Sequence, residues 1–375
     1  MGVVVVTGAS GFVGQNLVLA LRERTGHSVI ALTRDSDLAS MQGQVVDHII
    51  HLAGANRPAR EEGFAADNVD YAERILSTFR PGRAGAGFHY ASTIKVTRDD
   101  GYGRSKKAGE ALVARLGPAA GWATAIWRLP NLFGKWCRPN YNSFVATFME
   151  QAAQGQSFSI NDPASPVELL YIDDLVDMYL AALAQPAAEG LRYVTDFPTT
   201  QTTVGEVAGL IDSFRQNRDR PELPLVGAGL SKQLHATFLS YLDQAPRVFD
   251  LKRFASETGS FCELFKAEHF GQVSALTIEP GASRGNHYHH TKVENFHLAL
   301  GQVELVERDI RGGETLARTI NAGESFWTRP GWVHTLTNTG EGSAVLVIWA
   351  NEIFDHDRPD TFKASDAGRA SKAND

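Results

Sequence analysis

The chain has 375 residues, of which 43% are hydrophobic and 21% charged, enough apolar material for two folded domains and too much for a disordered chain. A net charge of −7 disfavours a nucleic-acid coat or a cationic membrane face, though not a phosphate pocket built locally. No apolar run reaches the roughly 18–20 residues of a membrane helix, Met1–Thr7 reads as a strand rather than a signal peptide, and the two cysteines, Cys137 and Cys262, exclude a disulfide framework. The expectation is a reduced, cytoplasmic protein.

From Met1 to about Gln185 short apolar runs alternate with amphipathic stretches. VVVV (3–6), VIAL (29–32), HIIHLAG (48–54) and TAIWRL (124–129) predict strands, and Leu17–Arg24, Asn68–Phe79 and Ser105–Leu116 carry helical spacing. Such alternation predicts an α/β doubly wound, Rossmann-like domain with a parallel sheet covered on both faces. Glu189–Asp243 mixes helical segments with prolines and reads as the end of that domain plus a connection. Beyond about Ala245 short strands take over: QVSALTIEP (272–280), FHLALGQVELVER (296–308), ETLARTI (314–320) and AVLVIWA (344–350). Glycine punctuation between them predicts a small β-sandwich or barrel. The expected domains are 1–243 and 244–363, with a disordered polar tail over 364–375.

TGASGFVG (7–14) places Gly8, Gly11 and Gly14 directly after the first strand and opens a helix. The glycines serve the tight turn, close approach of a pyrophosphate and close helix–strand packing, and the helix N-terminus supplies N–H groups and positive dipole. Where NAD-binding folds place an acidic residue after the second strand, this chain has Thr33 and Arg34; a guanidinium suits a 2′-phosphate, so NADPH is the expected cofactor. Tyr102 and Lys106 stand at i, i+4 and share a helix face. A neighbouring ammonium would lower the phenol's pKa from its usual value of about 10 and let it pass a proton to a reduced carbonyl. Upstream, YASTIKV (90–96) offers Ser92 and Thr93 at a strand end, where a hydroxyl could hold the substrate oxygen.

Histidine is uneven along the chain. Of twelve, His287, His289, His290 and His297 crowd one short window. Gly281-x5-His287-x-His289-x4-Glu294-x6-Gly301 matches the first cupin motif, and Gly323, Gly331, His334 and Asn338 follow at the spacing of the second. Strand periodicity puts His287 and His289 on one face, with Glu294 arriving from the next strand. Three imidazoles and a carboxylate suit one divalent metal, Zn²⁺ above all, and also Fe²⁺ or Mn²⁺. His290 and His297 read equally as neighbours of the ligands or as surface residues, and Cys262 as a packed strand residue.

Together TGASGFVG, HLAG (51–54), Tyr102-x-x-x-Lys106 and YIDDLV (171–176) resemble the extended short-chain dehydrogenases/reductases over roughly residues 1–240. The connection from Arg34 to the strand at 46–52 is too short for the usual extra βα unit. HLAGANRP (51–58), YGRSKKAGE (102–110), RLPNLFGKWCRPNYNS (128–143), GNHYHHTKVENF (285–296) and VIWANEIFDHDRPDTF (347–362) are similar to one subfamily: the bifunctional reductases of the UDP-N-acetyl-L-fucosamine pathway, of the capsular polysaccharide synthesis protein F type. That resemblance implies a Thr93–Tyr102–Lys106 catalytic set, with Ser10, Phe12, Leu52, Ala53 and Gly54 beside the cofactor together with the glycines and Arg34. It implies Asn131, Lys135, Arg138 and Asn142 facing a UDP-activated 4-keto-6-deoxy amino sugar, and a homodimer. Phe133 and Trp136 in the same segment read as core residues.

A 4-keto sugar has an acidified C3–H, so a base and a Lewis acid can invert that centre before hydride reduces C4. The implied reaction converts UDP-2-acetamido-2,6-dideoxy-β-L-arabino-hexos-4-ulose into UDP-N-acetyl-6-deoxy-β-L-talosamine. Tyr288, His290 and Lys292 are the candidate bases of the cupin. Two rivals remain in view: a reductase with a purely structural or dimerising cupin, and a non-enzymatic NADP(H)-binding regulator, which would have no use for Tyr102 and Lys106.

Overall fold

The near-continuous Val/Ile/Leu runs of the first half form one parallel sheet. The computed structural model describes residues 2–55, 63–185, 189–243, 245–364 and 371–372, in two compact units: Met1–Asp212 with Ala228–Leu242, and Ser213–Gly227 with Asp243–Asp375. In the first unit six parallel strands lie in the spatial order Leu191–Val194, Ala123–Leu129, Gly87–Thr93, His48–His51, Val3–Thr7, Ser28–Leu32. Successive side chains of a strand face opposite ways, and both faces here are apolar. Val4 and Val6 pack with Leu17, Leu21, Leu175 and Tyr179 on the face covered by helices Phe12–Arg24 and Ile172–Leu183. Val5 packs with Ile49, Ile75, Phe88 and Val113 on the face covered by helices Tyr71–Thr78 and Gly101–Ala119.

The chain runs outward from Val3–Thr7 to Ser28–Leu32, then returns to the other side of the first strand with His48–His51. That reversal opens a crevice at the carboxyl ends of Val3–Thr7 and His48–His51, where open α/β sheets bind ligands. The usual extra βα unit is missing, as the short connection requires; Gln44–Val46 instead leaves the main sheet to pair with Phe79–Pro81. All three predicted helices shift at their starts. The first begins at Phe12, the third at Gly101, and the second is preceded by a π-helical turn over Ala66–Asp70.

The second unit is antiparallel β. Arg253–Ser256, Gly259–Ala267, Gly271–Ile278, Ala344–Ala350, Glu294–Leu300 and Ser325–Trp327 form one sheet; Thr315–Asn321, Gln302–Asp309, Trp332–Asn338, Ser283–Tyr288, Phe362–Lys363 and Ser371–Lys372 form the other. The run 296–308 breaks at Gly301 into two strands that belong to different sheets. Alternate residues of both sheets, among them Leu276, Ile278, Phe296, Leu298, Val303, Leu305, Leu336 and Leu346, make the core between them. Of the polar tail, residues 365–370 and 373–375 lie outside the described residues, and Ser371–Lys372 pairs with Phe362–Lys363.

Candidate active site and metal centre

The turn after the first strand is shaped for close approach. Gly8 has φ +65°, and a Cβ on Gly14 would lie 2.2 Å from the Gly8 carbonyl oxygen. No side chain caps the helix at Gly11, so the first-turn N–H groups and the positive end of the dipole remain for an anion next to Ser10 and Phe12. Thr7 Oγ1 accepts hydrogen bonds from the Leu52 and Ala53 N–H groups, both at 3.1 Å, tying the end of the next strand to this turn. Gly54 follows, close beside the Lys106 ammonium. A cradle that a Cβ would fill, next to an uncapped helix start, fits a dinucleotide. Arg34 lies just past the second strand and is exposed.

Strand Gly87–Thr93 is buried along its length, and its last two hydroxyls part company. Ser92 donates to Glu110 Oε1 at 2.6 Å, and Glu110 also takes a bidentate pair from Arg128 at 3.0 and 2.7 Å. Thr93, facing the opposite way, accepts from the Lys95 N–H at 3.2 Å and stands near enough to Tyr102 for its side chain to lower the phenol's pKa. Of the two hydroxyls, Ser92 is thus engaged with Glu110, and Thr93 is the one on the side of Tyr102. Helix Gly101–Ala119, capped by Asp100 at Gly103 N–H (2.7 Å), carries Tyr102, Lys106 and Glu110 on one stripe. Lys106 is buried, donates to the Ala91 carbonyl at 3.0 Å and is held down to about 8 by burial, with Glu110 opposing.

One expectation is corrected here. Lys106 was to draw the Tyr102 phenol below its usual value, but burial pushes Tyr102 up to about 12, and the nearby Thr93 side chain offsets only part of that. The Lys106 ammonium is engaged with a backbone carbonyl instead. At neutral pH the phenol is protonated, the state a proton donor needs.

Sequence reasoning missed Asn68. Its buried side chain exchanges hydrogen bonds with Ala55 N–H and C=O at 3.1 and 3.0 Å and donates to Ser105 Oγ at 3.1 Å, while its carbonyl accepts from Tyr90. It thereby links the stretch after the third strand to the helix bearing Tyr102 and Lys106. The π-helical turn that contains it is the kind of irregularity found at functional sites.

The segment after Leu129 approaches the same place. Asn16, on the first helix, donates to the Lys135 carbonyl at 3.4 Å, and Lys135 Nζ pairs with Asp173 at 2.5 Å. The Arg138 guanidinium lies over the Tyr141 ring, and Tyr141 is near enough to Tyr102 to raise its pKa. Asn131 directs its amide to the Glu168 carbonyl at 3.2 Å, and Asn142 is exposed. Phe133 is core as expected; Trp136 is not. It is 47% exposed, with φ +67°, because the tight turn at Gly134–Cys137 lifts it off the domain. Of the segment HLAGANRP, residues 56–58 lie outside the described residues.

In the second unit His287, His289, Glu294 and His334 bring their ligand atoms within 4.8 Å of one another. His287 and His334 are register partners on adjacent strands of one sheet, and Glu294 opens a strand of the other. Burial holds His287 down to about 4 and His334 to about 3, with the neighbouring imidazoles adding to the effect, so both imidazoles are neutral at pH 7. Burial alone raises the Glu294 pKa, but the adjacent His289 side chain and the Lys292 ammonium outweigh it and keep the carboxyl well below the usual range.

Two observations fit a cation here. Both ring nitrogens of His334 are buried without a hydrogen-bond partner among the described residues. His289 Nδ1 faces the Asp360 carbonyl oxygen at 2.5 Å, so in the neutral ring that nitrogen carries the proton. Its Nε2 lone pair then points at Glu294 Oε2, 3.1 Å away, two acceptors that a positive charge would reconcile. Lys292 Nζ pairs with Glu294 Oε1 at 3.1 Å. Tyr288 turns the other way and stacks on Phe362 with His290 against both rings. His290 and His297 are exposed and stand outside the ligand cluster; Cys262 is a half-buried strand residue.

A sequence profile of the NAD dependent epimerase/dehydratase family matches residues 4–194. The UDP-2-acetamido-2,6-beta-L-arabino-hexul-4-ose reductase of Pseudomonas aeruginosa is 37% identical over 366 residues, 96% of this chain and 98% of that one. The chain belongs to the NAD dependent epimerase/dehydratase family. A second part of the chain, residues 255–362, matches the polysaccharide biosynthesis C-terminal domain. Among solved structures, capsular polysaccharide assembling protein CapF from Staphylococcus aureus superposes with a TM-score of 0.85 at 34% identity, covering 96% of this chain and 99% of CapF. RMD from Pseudomonas aeruginosa, solved with NADPH, shares the epimerase/dehydratase fold at 20% identity and a TM-score of 0.53 over 64% of this chain.

Proposed function

We propose that the chain is a bifunctional nucleotide-sugar enzyme. Its second unit inverts C3 of UDP-2-acetamido-2,6-dideoxy-β-L-arabino-hexos-4-ulose, and its first unit reduces the C4 ketone with NADPH to UDP-N-acetyl-6-deoxy-β-L-talosamine, a precursor for capsule or O-antigen. The observation that carries this reading is the pairing, in one chain, of Tyr102 and the buried Lys106 on one helix beside a nucleotide turn with the His287, His289, Glu294 and His334 cluster. A relative of matching length bears the name of that reductase. The reading includes a cytoplasmic homodimer, as the family resemblance implies.

In the first unit NADPH supplies the hydride, and Gly8, Ser10, Gly11, Phe12, Gly14, Leu52, Ala53, Gly54 and Arg34 would hold it. Thr93 orients the substrate carbonyl and Tyr102 gives its proton to the C4 oxygen as charge develops there. Lys106, fixed by the Ala91 carbonyl, keeps a positive charge beneath the site. Asn131, Lys135, Arg138 and Asn142 would take the UDP-sugar. In the second unit His287, His289, Glu294 and His334 would hold a divalent ion, Zn²⁺ by donor type, which supplies Lewis-acid stabilisation of negative charge on a substrate oxygen. Of the three candidate bases, Lys292 lies at the cluster, whereas Tyr288 and His290 pack with Phe362. Incubating the purified protein with the UDP-4-keto sugar and NADPH, and identifying the product by NMR, tests the whole reading; recovery of unchanged sugar overturns it.

Two consequences are measurable on the reductase alone. NADPH should be preferred over NADH, and Arg34→Ala should erode that preference through cofactor KM rather than kcat, because a solvent-facing guanidinium can reach a 2′-phosphate but not the reacting carbons. Equal kcat/KM for both cofactors in the unmodified protein would contradict this. Lys106 titrates near 8 because burial disfavours its ammonium. Raising the pH through that value removes the charge, so turnover should decline on the alkaline side of about pH 8, and a flat profile to pH 10 would exclude a role for the ammonium.

A further inference from the structure

The cupin's metal-ligating hairpin is clamped by a segment far along the chain. Asp360 spreads its carboxylate over the turn between His289 and Glu294, accepting from the N–H groups of His290 (2.9 Å), Thr291 (2.6 Å) and Lys292 (2.7 Å) and from Thr291 Oγ1 (2.9 Å). Its own carbonyl oxygen meets His289 Nδ1. Thr361 Oγ1 lies 3.5 Å from His289 Nδ1 and 3.4 Å from Lys292 Nζ, and Phe362 stacks on Tyr288. The backbone continues the clamp: His287 pairs with Lys363, Tyr288 with Phe362, and Ala364 N–H bonds the Asn286 carbonyl. Every residue from Asn286 to Lys292 is thus held by 360–364.

We propose that Asp360 is a positioning residue of the metal centre, setting the His289 tautomer through its carbonyl and the His289-to-Glu294 turn through its carboxylate. The proposal rests on the reading that His287, His289, Glu294 and His334 hold a divalent cation. A histidine ligand whose remote nitrogen is fixed by a backbone carbonyl presents the other nitrogen in one tautomer and one orientation, and loss of such a partner typically costs 10–100-fold in metal affinity. Here one residue does this for the ligand and also sets the path of the chain to the next one. Asp360→Asn keeps the main chain and the side-chain shape but replaces one carboxylate oxygen with an NH₂ group that faces backbone donors instead of accepting from them.

The test uses full-length protein stripped with chelator and reloaded with Zn²⁺ or Co²⁺. Affinity is read by competition with a chromophoric chelator, and geometry by the d–d bands of the Co²⁺ form. Relative to unmodified protein, Asp360→Asn is expected to bind Zn²⁺ about 10–100-fold more weakly and to shift the Co²⁺ bands. Thr291→Ala, which removes one exposed hydroxyl donor to Asp360, should move both readouts in the same direction by less, and it serves if Asp360→Asn does not fold. Unmodified protein that binds neither ion overturns the metal reading and this inference with it. Unmodified protein that binds, with folded variants matching it in affinity and spectrum, overturns the positioning role alone. A lowered melting temperature with an unchanged Co²⁺ spectrum does so as well, because it describes a clamp that only stabilises the barrel.

Discussion

Tyr102→Phe is expected to lower reductase turnover by roughly 10²–10⁴, the range for loss of a general acid, while leaving NADPH affinity within a few-fold of the unmodified protein. The hydroxyl is the only atom removed, and it does not belong to the cradle formed by Gly8, Gly14 and the uncapped helix start. The ring still packs beside Phe64, so the half-buried position keeps its shape. What disappears is a phenol that burial keeps protonated, with a pKa pushed up to about 12. Stopped-flow quenching of NADPH fluorescence measures binding, and steady-state oxidation of NADPH at saturating 4-keto sugar measures turnover. Undiminished turnover would move the proton donor elsewhere. A parallel collapse of cofactor binding would mean that the residue shapes the pocket rather than the chemistry.

The residues most legible in the sequence are those whose reasons are local. Gly8 and Gly14 meet within a single turn, so strand, glycines and helix announce each other, and the period of a strand suffices to put His287 and His289 together. His334 is legible instead from the spacing of the second cupin motif, and in the structure it stands opposite His287 in the register of adjacent strands. Legibility ends where a distant group decides. Alternation says that Ser92 and Thr93 face opposite ways; it does not say that Glu110 and Arg128 occupy the Ser92 side and leave Thr93 to Tyr102. The i, i+4 spacing of Tyr102 and Lys106 promises a shared face, but the balance between burial and charge that raises the phenol depends on tertiary packing. Asn68 and Asp360 act largely on backbone groups, which carry no side-chain pattern to read. Trp136 looks like core by composition and is lifted into solvent by a backbone turn.

Deuterium exchange separates the two proposed activities. Inverting C3 of a 4-keto sugar removes and returns a proton and transfers no hydride, so incubation in D₂O without NADPH should place deuterium at C3. Tyr102→Phe should leave this exchange at its normal rate, because the Thr93–Tyr102–Lys106 set belongs to the other unit. His289→Ala should abolish it: the substitution removes one imidazole of the cluster, the one whose Nε2 faces Glu294 Oε2. The same variant should still oxidise NADPH when given a ketone whose C3 is already inverted, so the two substitutions are expected to fail in opposite assays. Losing a metal ligand can unfold a small barrel, and a cooperative melt of His289→Ala is therefore required first. If the folded variant exchanges deuterium at the rate of the unmodified protein, the cluster is structural. The chain is then a reductase carrying a cupin that does no chemistry on C3, and the proton at that carbon is exchanged by groups outside His287, His289, Glu294 and His334.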